Sequence, residues 1–164
     1  MKTITLSYAR ANLSQISDKI AEDQDLVIIN RKENKNIVMI SENEYNNLQE
    51  NLHIREHPDT IIWIKNSLKS IQDDQCIKFQ SIYCTPNFML DYRFWEVKEA
   101  SQMKRINLLI SELTNHPFTG VGNPECLKYD LSGIWSRKID NDNRLTYTMR
   151  NDNMILLSCR CHYS

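Results

Sequence analysis

A chain of 164 residues, 41% of them hydrophobic, has material for one medium core or two small ones. Its formal net charge of −1 excludes a global basic field, so any nucleic-acid contact must come from a local patch. No apolar run approaches the roughly 18 residues that a membrane span needs, so no membrane partner is expected.

Thr3 to Leu6 reads as a short strand, with Ser7 as N-cap of a helix that sets Ala9, Leu13, Ile16 and Ile20 on one face. Leu26 to Ile29 and Ile37 to Ile40 are strand-length apolar runs joined by a polar connection suited to a hairpin. Ser41 and Glu44 form a capping box that opens a helix carrying Tyr45 and Leu48. Residues 1–55 thus predict a β-α-β-β-α module. After Pro58, Asp59 is the expected cap of a helix whose stripe is Ile61, Ile64, Leu68 and Ile71. An isolated helix of this length is marginal in water, so the 56–78 segment should lay its stripe on the next domain or on a second chain.

From Phe79 the pattern starts again. A strand to Cys84 precedes a helix displaying Phe88, Tyr92 and Trp95, then one displaying Met103, Ile106, Ile110 and Leu113. An irregular stretch, 118–124, holds two of the three glycines. Strands are expected over 134–139, 144–150 and 154–160, joined by Asn/Asp turns. The fold class is therefore α+β, with 79–164 as β-α-α plus an antiparallel meander and helices on one sheet face. The part before Phe79 carries 10 basic and 12 acidic residues and the rest 10 and 9, a slightly acidic half ahead of a slightly basic one.

Five cysteines, an odd count with no secretory leader ahead of them, point to a reducing cytoplasm rather than a disulfide framework. Cys159, Cys161 and His162 invite a metal reading, but the spacing is not of the CxxC type and no second ligand pair is apparent. No metal or cofactor is expected.

The first module resembles the YefM/Phd antitoxin family through Ser7-Tyr8-Ala9-Arg10-Ala11-Asn12-Leu13-Ser14 and Ser41-Glu42-Asn43-Glu44-Tyr45-Asn46-Asn47-Leu48. The resemblance implies a homodimer through this module that represses its own operator, with DNA contacts at Arg10, Arg31 and Lys32. The second half is similar to YoeB, of the RelE-type toxin superfamily. The matching runs are Lys104-Arg105-Ile106-Asn107, Pro117 to Glu125, Leu131-Ser132-Gly133-Ile134-Trp135-Ser136-Arg137-Lys138-Ile139, Arg144-Leu145-Thr146-Tyr147 and Ser158-Cys159-Arg160-Cys161-His162-Tyr163. This implies a microbial-ribonuclease-like domain that cuts messenger RNA in the ribosomal A site.

Metal-free RNA cleavage needs a base for the ribose 2′-OH, a cation for the phosphorane and an acid for the departing 5′ oxygen. Glu125 follows a proline in a glycine-rich loop, and by resemblance it is the base. Alternation in the strand sets Arg144 opposite Leu145, Tyr147 and Met149, away from the buried face, and by resemblance its planar fork meets phosphate there. His162, of a type with an unperturbed pKa of about 6.5, suits the acid, and the resemblance implies that it and Tyr163 complete the site, Tyr163 positioning or stacking on the nucleotide. Lys128, Arg137 and Arg160 are further candidates for gripping RNA.

Family toxins and antitoxins are separate chains. Joining them sets the inhibitor at a local concentration on the order of millimolar, so the nuclease should be masked by default, with 56–78 as the mask. Two other readings stand beside this one. The chain is a DNA-binding autorepressor with a silent toxin domain, or an interaction protein that poisons a free toxin by mixed dimerisation.

Overall fold

The computed structural model describes residues 2–23, 25–79 and 81–162, with the backbone alone at Asn34. It divides into two compact units, 1–49 and 50–164.

In the first unit, strand β1 (Lys2–Thr5) leads into helices α1 (Leu6–Ala11) and α2 (Leu13–Asp23), then strands β2 (Val27–Asn30) and β3 (Ile37–Met39). β2 lies between the other two, parallel to β1 and antiparallel to β3. Thr5, not the expected Ser7, is the N-cap: its hydroxyl accepts from Tyr8 N–H at 3.3 Å. The expected single helix is broken at Asn12, whose φ of −128° leaves the helical region while its side-chain amide donates to the Tyr8 carbonyl. That break shifts the phase of the apolar stripe. Ala9 and Ile20 still join Ile4, Val27 and Ile29 in a one-sided core, whereas Leu13 is half exposed.

The capping box at Ser41 forms as expected, with Glu44 N–H donating to the Ser41 hydroxyl at 3.1 Å. It opens helix α3 (Glu42–Arg55), and the division between the units falls inside this helix. Helix α4 (Pro58–Gln72) follows with Pro58 in its first turn and His57 as N-cap residue, so Asp59 lies within the helix instead of capping it.

The second unit continues with β4 (Ile77–Phe79), β5 (Ile82–Cys84), α5 (Pro86–Lys98), α6 (Ala100–Leu113), β6 (Glu125–Cys126), β7 (Ile134–Lys138), β8 (Arg144–Arg150) and β9 (Asn153–Ser158). They form a six-stranded sheet in the order β4-β5-β9-β8-β7-β6. The meander β7-β8-β9 lies where the turn residues predict it. The expected strand at 79–84 is instead an antiparallel pair, and β5 adds parallel to β9. β6, read from the sequence as loop, pairs antiparallel with β7.

Helices cover both faces of this sheet, not one. Along β9, Met154 and Leu156 enter a core with Phe88 and Trp95 of α5 and Ile106, Leu109, Ile110 and Leu113 of α6. The alternate residues Ile155 and Leu157 enter a second core with Ile54 at the end of α3 and Ile64 of α4, joined by Leu127, Leu131 and Ile134. The stripe expected to need a partner therefore lies on the sheet, with Ile61, Leu68 and Ile71 packed around fully buried Ile64. Burying one such isoleucine contributes about 1.5–3 kcal/mol.

A register shift at Thr146/Tyr147 marks a bulge opposite Leu157 on β9. Its carbonyl accepts from two hydroxyls, Ser67 of α4 at 2.8 Å and Thr85, the N-cap of α5, at 3.2 Å. The irregularity is thereby satisfied by the two helices that flank the sheet.

Candidate active site

Strand register assembles the first part of the site. Glu125 pairs with Ser136 and Ser136 with Thr146, while Arg144 stands two residues before Thr146 on β8. Directly paired and i,i+2 residues share a face, so Glu125, Ser136 and Arg144 lie on one side of the sheet. Strand spacing puts Glu125 and Arg144 about 10 Å apart across the sheet and about 7 Å along it.

The loop that delivers Glu125 is pinned by Gly122. Its φ is +86°, and a Cβ there would stand 2.8 Å from Leu109 Cδ2 and 3.2 Å from the Lys138 carbonyl oxygen. The Gly122 carbonyl also accepts from Lys138 N–H at 2.7 Å, so glycine is required by both conformation and close approach.

Arg144 is not on an open surface, as strand alternation alone suggests, but only 6% exposed. Its Nε donates to both carboxylate oxygens of Glu50, on α3, at 2.7 and 2.9 Å. Its NH1 donates to the carbonyls of Asp140, Asn141 and Asn143. Ser136 donates its hydroxyl to the same Glu50 carboxylate. A buried guanidinium requires such neutralisation, and here one N–H, Nε, is shared between the two Glu50 oxygens while NH1 is held by backbone carbonyls.

His162 is held where the chain leaves β9. Its N–H donates to the Thr60 hydroxyl at 2.8 Å and its ring lies 4.2 Å, centroid to centroid, from the Trp63 indole of α4. Arg160 NH2 stands 3.1 Å from Nδ1; an arginine has only donors, so Nδ1 is the accepting nitrogen and Nε2 carries the proton. Nε2 in turn lies 2.9 Å from Asp91 Oδ1, a close electrostatic approach whose angle misses hydrogen-bond alignment. Asp91, 1% exposed, also accepts from Trp63 Nε1 and Cys159 N–H. Tyr163, the fourth residue expected in the site, lies outside the described residues.

The remaining expected residues divide. Arg160 stays beside the site, stacked on Phe94 at 4.2 Å. Lys128 has its backbone N–H bound by the Asn51 side chain at 2.7 Å. Arg137 departs from its expected role. It is fully buried, donating to the carbonyls of His116, Thr119 and Val121 and to the Tyr147 hydroxyl. These bonds hold the 116–121 loop, and a guanidinium so engaged does not face a substrate. Arg10, Arg31 and Lys32 are exposed and belong to the first unit, Arg10 in the last turn of α1 and the other two between β2 and β3.

Residues unforeseen from the sequence include Glu50, Thr60, Trp63 and Asp91, each an ordinary helix residue until packing brings it to the site. Beyond them, Arg55 and Lys65 both reach Asp130 at 2.6 and 2.8 Å. The bonds from Lys65 and then Arg55 hold its carboxyl well down, at about 2.

The YoeB-like toxin family of bacterial type II toxin-antitoxin systems matches residues 84–163, and the Phd/YefM antitoxin family of the same systems matches residues 1–60. Toxin YoeB of Synechocystis sp. is 45% identical over 73 residues, 44% of this chain and 85% of that protein. Antitoxin YefM of the same organism is 28% identical over 78 residues, 48% of this chain and 90% of that protein. In a YoeB-YefM complex from Staphylococcus aureus, one chain is 32% identical, covering 52% of this chain and 100% of its own length, with a TM-score of 0.48. This polypeptide thus belongs to the YoeB toxin family through its second unit and carries a Phd/YefM antitoxin domain ahead of it, the two partners of a toxin-antitoxin pair in one chain.

Proposed function

We propose that the second unit is a metal-free endoribonuclease acting on messenger RNA in the ribosomal A site, and that residues 50–72 of the same chain hold it closed. Glu125 removes the proton of a ribose 2′-OH, which attacks the adjacent phosphorus. Arg144 carries the charge that develops on the phosphorane, and His162 protonates the departing 5′ oxygen. Tyr163 positions the nucleotide, while Lys128 and Arg160 hold flanking phosphates.

The observation that carries this reading is the Glu50 carboxylate on Arg144 and Ser136. It supplies two anionic oxygens where a scissile phosphate must sit. Thr60 and Trp63 engage His162 from the same covering segment, so cation and acid share one cover. The mask therefore begins earlier than the 56–78 segment read from the sequence, inside α3.

Cell-free translation tests the reading. Residues 79–164 should arrest protein synthesis and the full chain should not. Glu125→Ala and His162→Ala fragments that fold and still arrest synthesis would end the nuclease assignment. The first unit, through exposed Arg10, Arg31 and Lys32, is assigned to operator DNA and to homodimer formation. The autorepressor alternative with a silent toxin domain requires operator binding that falls steeply with salt and weakens in Arg10→Ala, with no arrest by any fragment.

A further inference from the structure

Cys161 pairs with neither Cys159 nor His162 as a ligand set. Among the described residues, one ligand atom from each of His53, His57 and Cys161 comes within 4.8 Å of the others. We propose that these three side chains bind a divalent transition metal of the zinc class, with two imidazole nitrogens and one thiolate.

Three features beyond proximity support the site. Zn–N bonds of about 2.0–2.1 Å and a Zn–S bond of about 2.3 Å set tetrahedral ligand atoms roughly 3.3–3.6 Å apart, so the trio closes by about 1 Å on binding. The His53 and His57 rings already face each other edge to face at 5.3 Å. His53 Nε2 lies 2.8 Å from the Asp142 carbonyl oxygen, to which it donates, leaving the Nδ1 lone pair for the ion. This is the outer bond that orients most metal-bound histidines. Finally, Thr60 Oγ1 stands 3.3 Å from Cys161 Sγ, a polar neighbour that fixes where the sulfur lies.

Two nitrogens and a sulfur select zinc-like ions over magnesium or calcium, and leave a fourth position for water. On binding, the Cys161 thiol releases its proton to solvent and the sulfur lone pair becomes the ligand bond. Cys159 does not compete, because it points into the α5–α6 core, where burial pushes its thiol well above the usual range. The ion would join the α3–α4 corner to the residue that precedes His162. On the function proposed above, it would fasten the cover; metal binding itself does not rest on that function.

The test uses the full-length reduced protein and Co²⁺ as probe. A sulfur-to-cobalt charge-transfer band with tetrahedral visible bands should appear, saturate at one equivalent and vanish on adding Zn²⁺. His53→Asn and His57→Asn should weaken binding at least tenfold, Cys161→Ser should remove the charge-transfer band, and Cys76→Ser should change nothing. Zn²⁺ should raise the unfolding temperature of the wild type but not of His53→Asn. An octahedral spectrum without charge transfer, or a band surviving in Cys161→Ser, overturns the proposal. If Cys161→Ser does not fold, undiminished binding in both histidine variants overturns it equally. None of these readouts requires ribonuclease activity.

Discussion

Replacing Glu50 by alanine leaves the Arg144 guanidinium beneath α3 with no counter-charge. Both side chains are nearly enclosed, 7% exposed for Arg144 and 12% for Glu50, so the pair behaves as a buried one. Removing one member of such a pair costs about 3–5 kcal/mol, because an uncompensated charge stays behind. Here Arg144 NH1 keeps three carbonyl acceptors, and the cover can lift to admit water, so the low end, about 3 kcal/mol, is expected. Loss of that much from the closed state shifts opening by roughly a hundredfold. Full-length Glu50→Ala should therefore arrest cell-free translation where the wild type does not, and residues 50–72 should exchange amide hydrogens faster. Glu50→Gln, which keeps an acceptor without the charge, should fall between. The reasoning fails if Glu50→Ala folds, exchanges like the wild type in 50–72 and leaves translation untouched while the 79–164 fragment arrests it.

Other outcomes follow from the same geometry. Glu125→Gln in the 79–164 fragment should lower RNA cleavage by about 10²- to 10⁴-fold with the urea midpoint unchanged, as loss of a general base requires. Arg137→Lys should destabilise the second unit by about 3 kcal/mol in urea unfolding, because a single ammonium replaces a fork bonded to three carbonyls and a phenol. Gly122→Ala should cost about 2–4 kcal/mol from the left-handed backbone and the Leu109 clash, measured by the same unfolding. Asp130, whose carboxyl is held at about 2, stabilises the folded state fully above its unfolded value near 3.8. That contribution is lost as pH falls through about 2, so the stability difference between wild type and Asp130→Asn should close across this window. Added salt should shrink the difference at every pH, since Arg55, Lys65 and Asp130 are all substantially solvent-exposed.

The linear order of residues made legible much of what depends on local periodicity, though not the caps of α1 and α4 or the break at Asn12. The Ser41–Glu44 cap, the apolar stripe of α4, the α5–α6 pair and the meander β7-β8-β9 could be read because each is written within one turn, one helix face or one strand alternation. The runs Pro117–Glu125, Arg144–Tyr147 and Ser158–Tyr163 named Glu125, Arg144 and His162 as candidates through the family resemblance. What the order could not carry was any fact that joins distant segments. Helix periodicity marks Ile64 as buried but not the sheet face it covers. Glu50 reads as a solvated helix carboxylate until α3 brings it to Arg144, 94 residues away. Arg137 and Arg144 sit in strands of similar pattern, yet one holds a loop from inside the core and the other waits under a carboxylate. Cysteine spacing could not bring Cys161 near His53 and His57, which lie about a hundred residues earlier in the chain. Only tertiary packing decides such pairings, since the energy of a buried charge depends on which groups surround it in space and hardly at all on its neighbours along the chain.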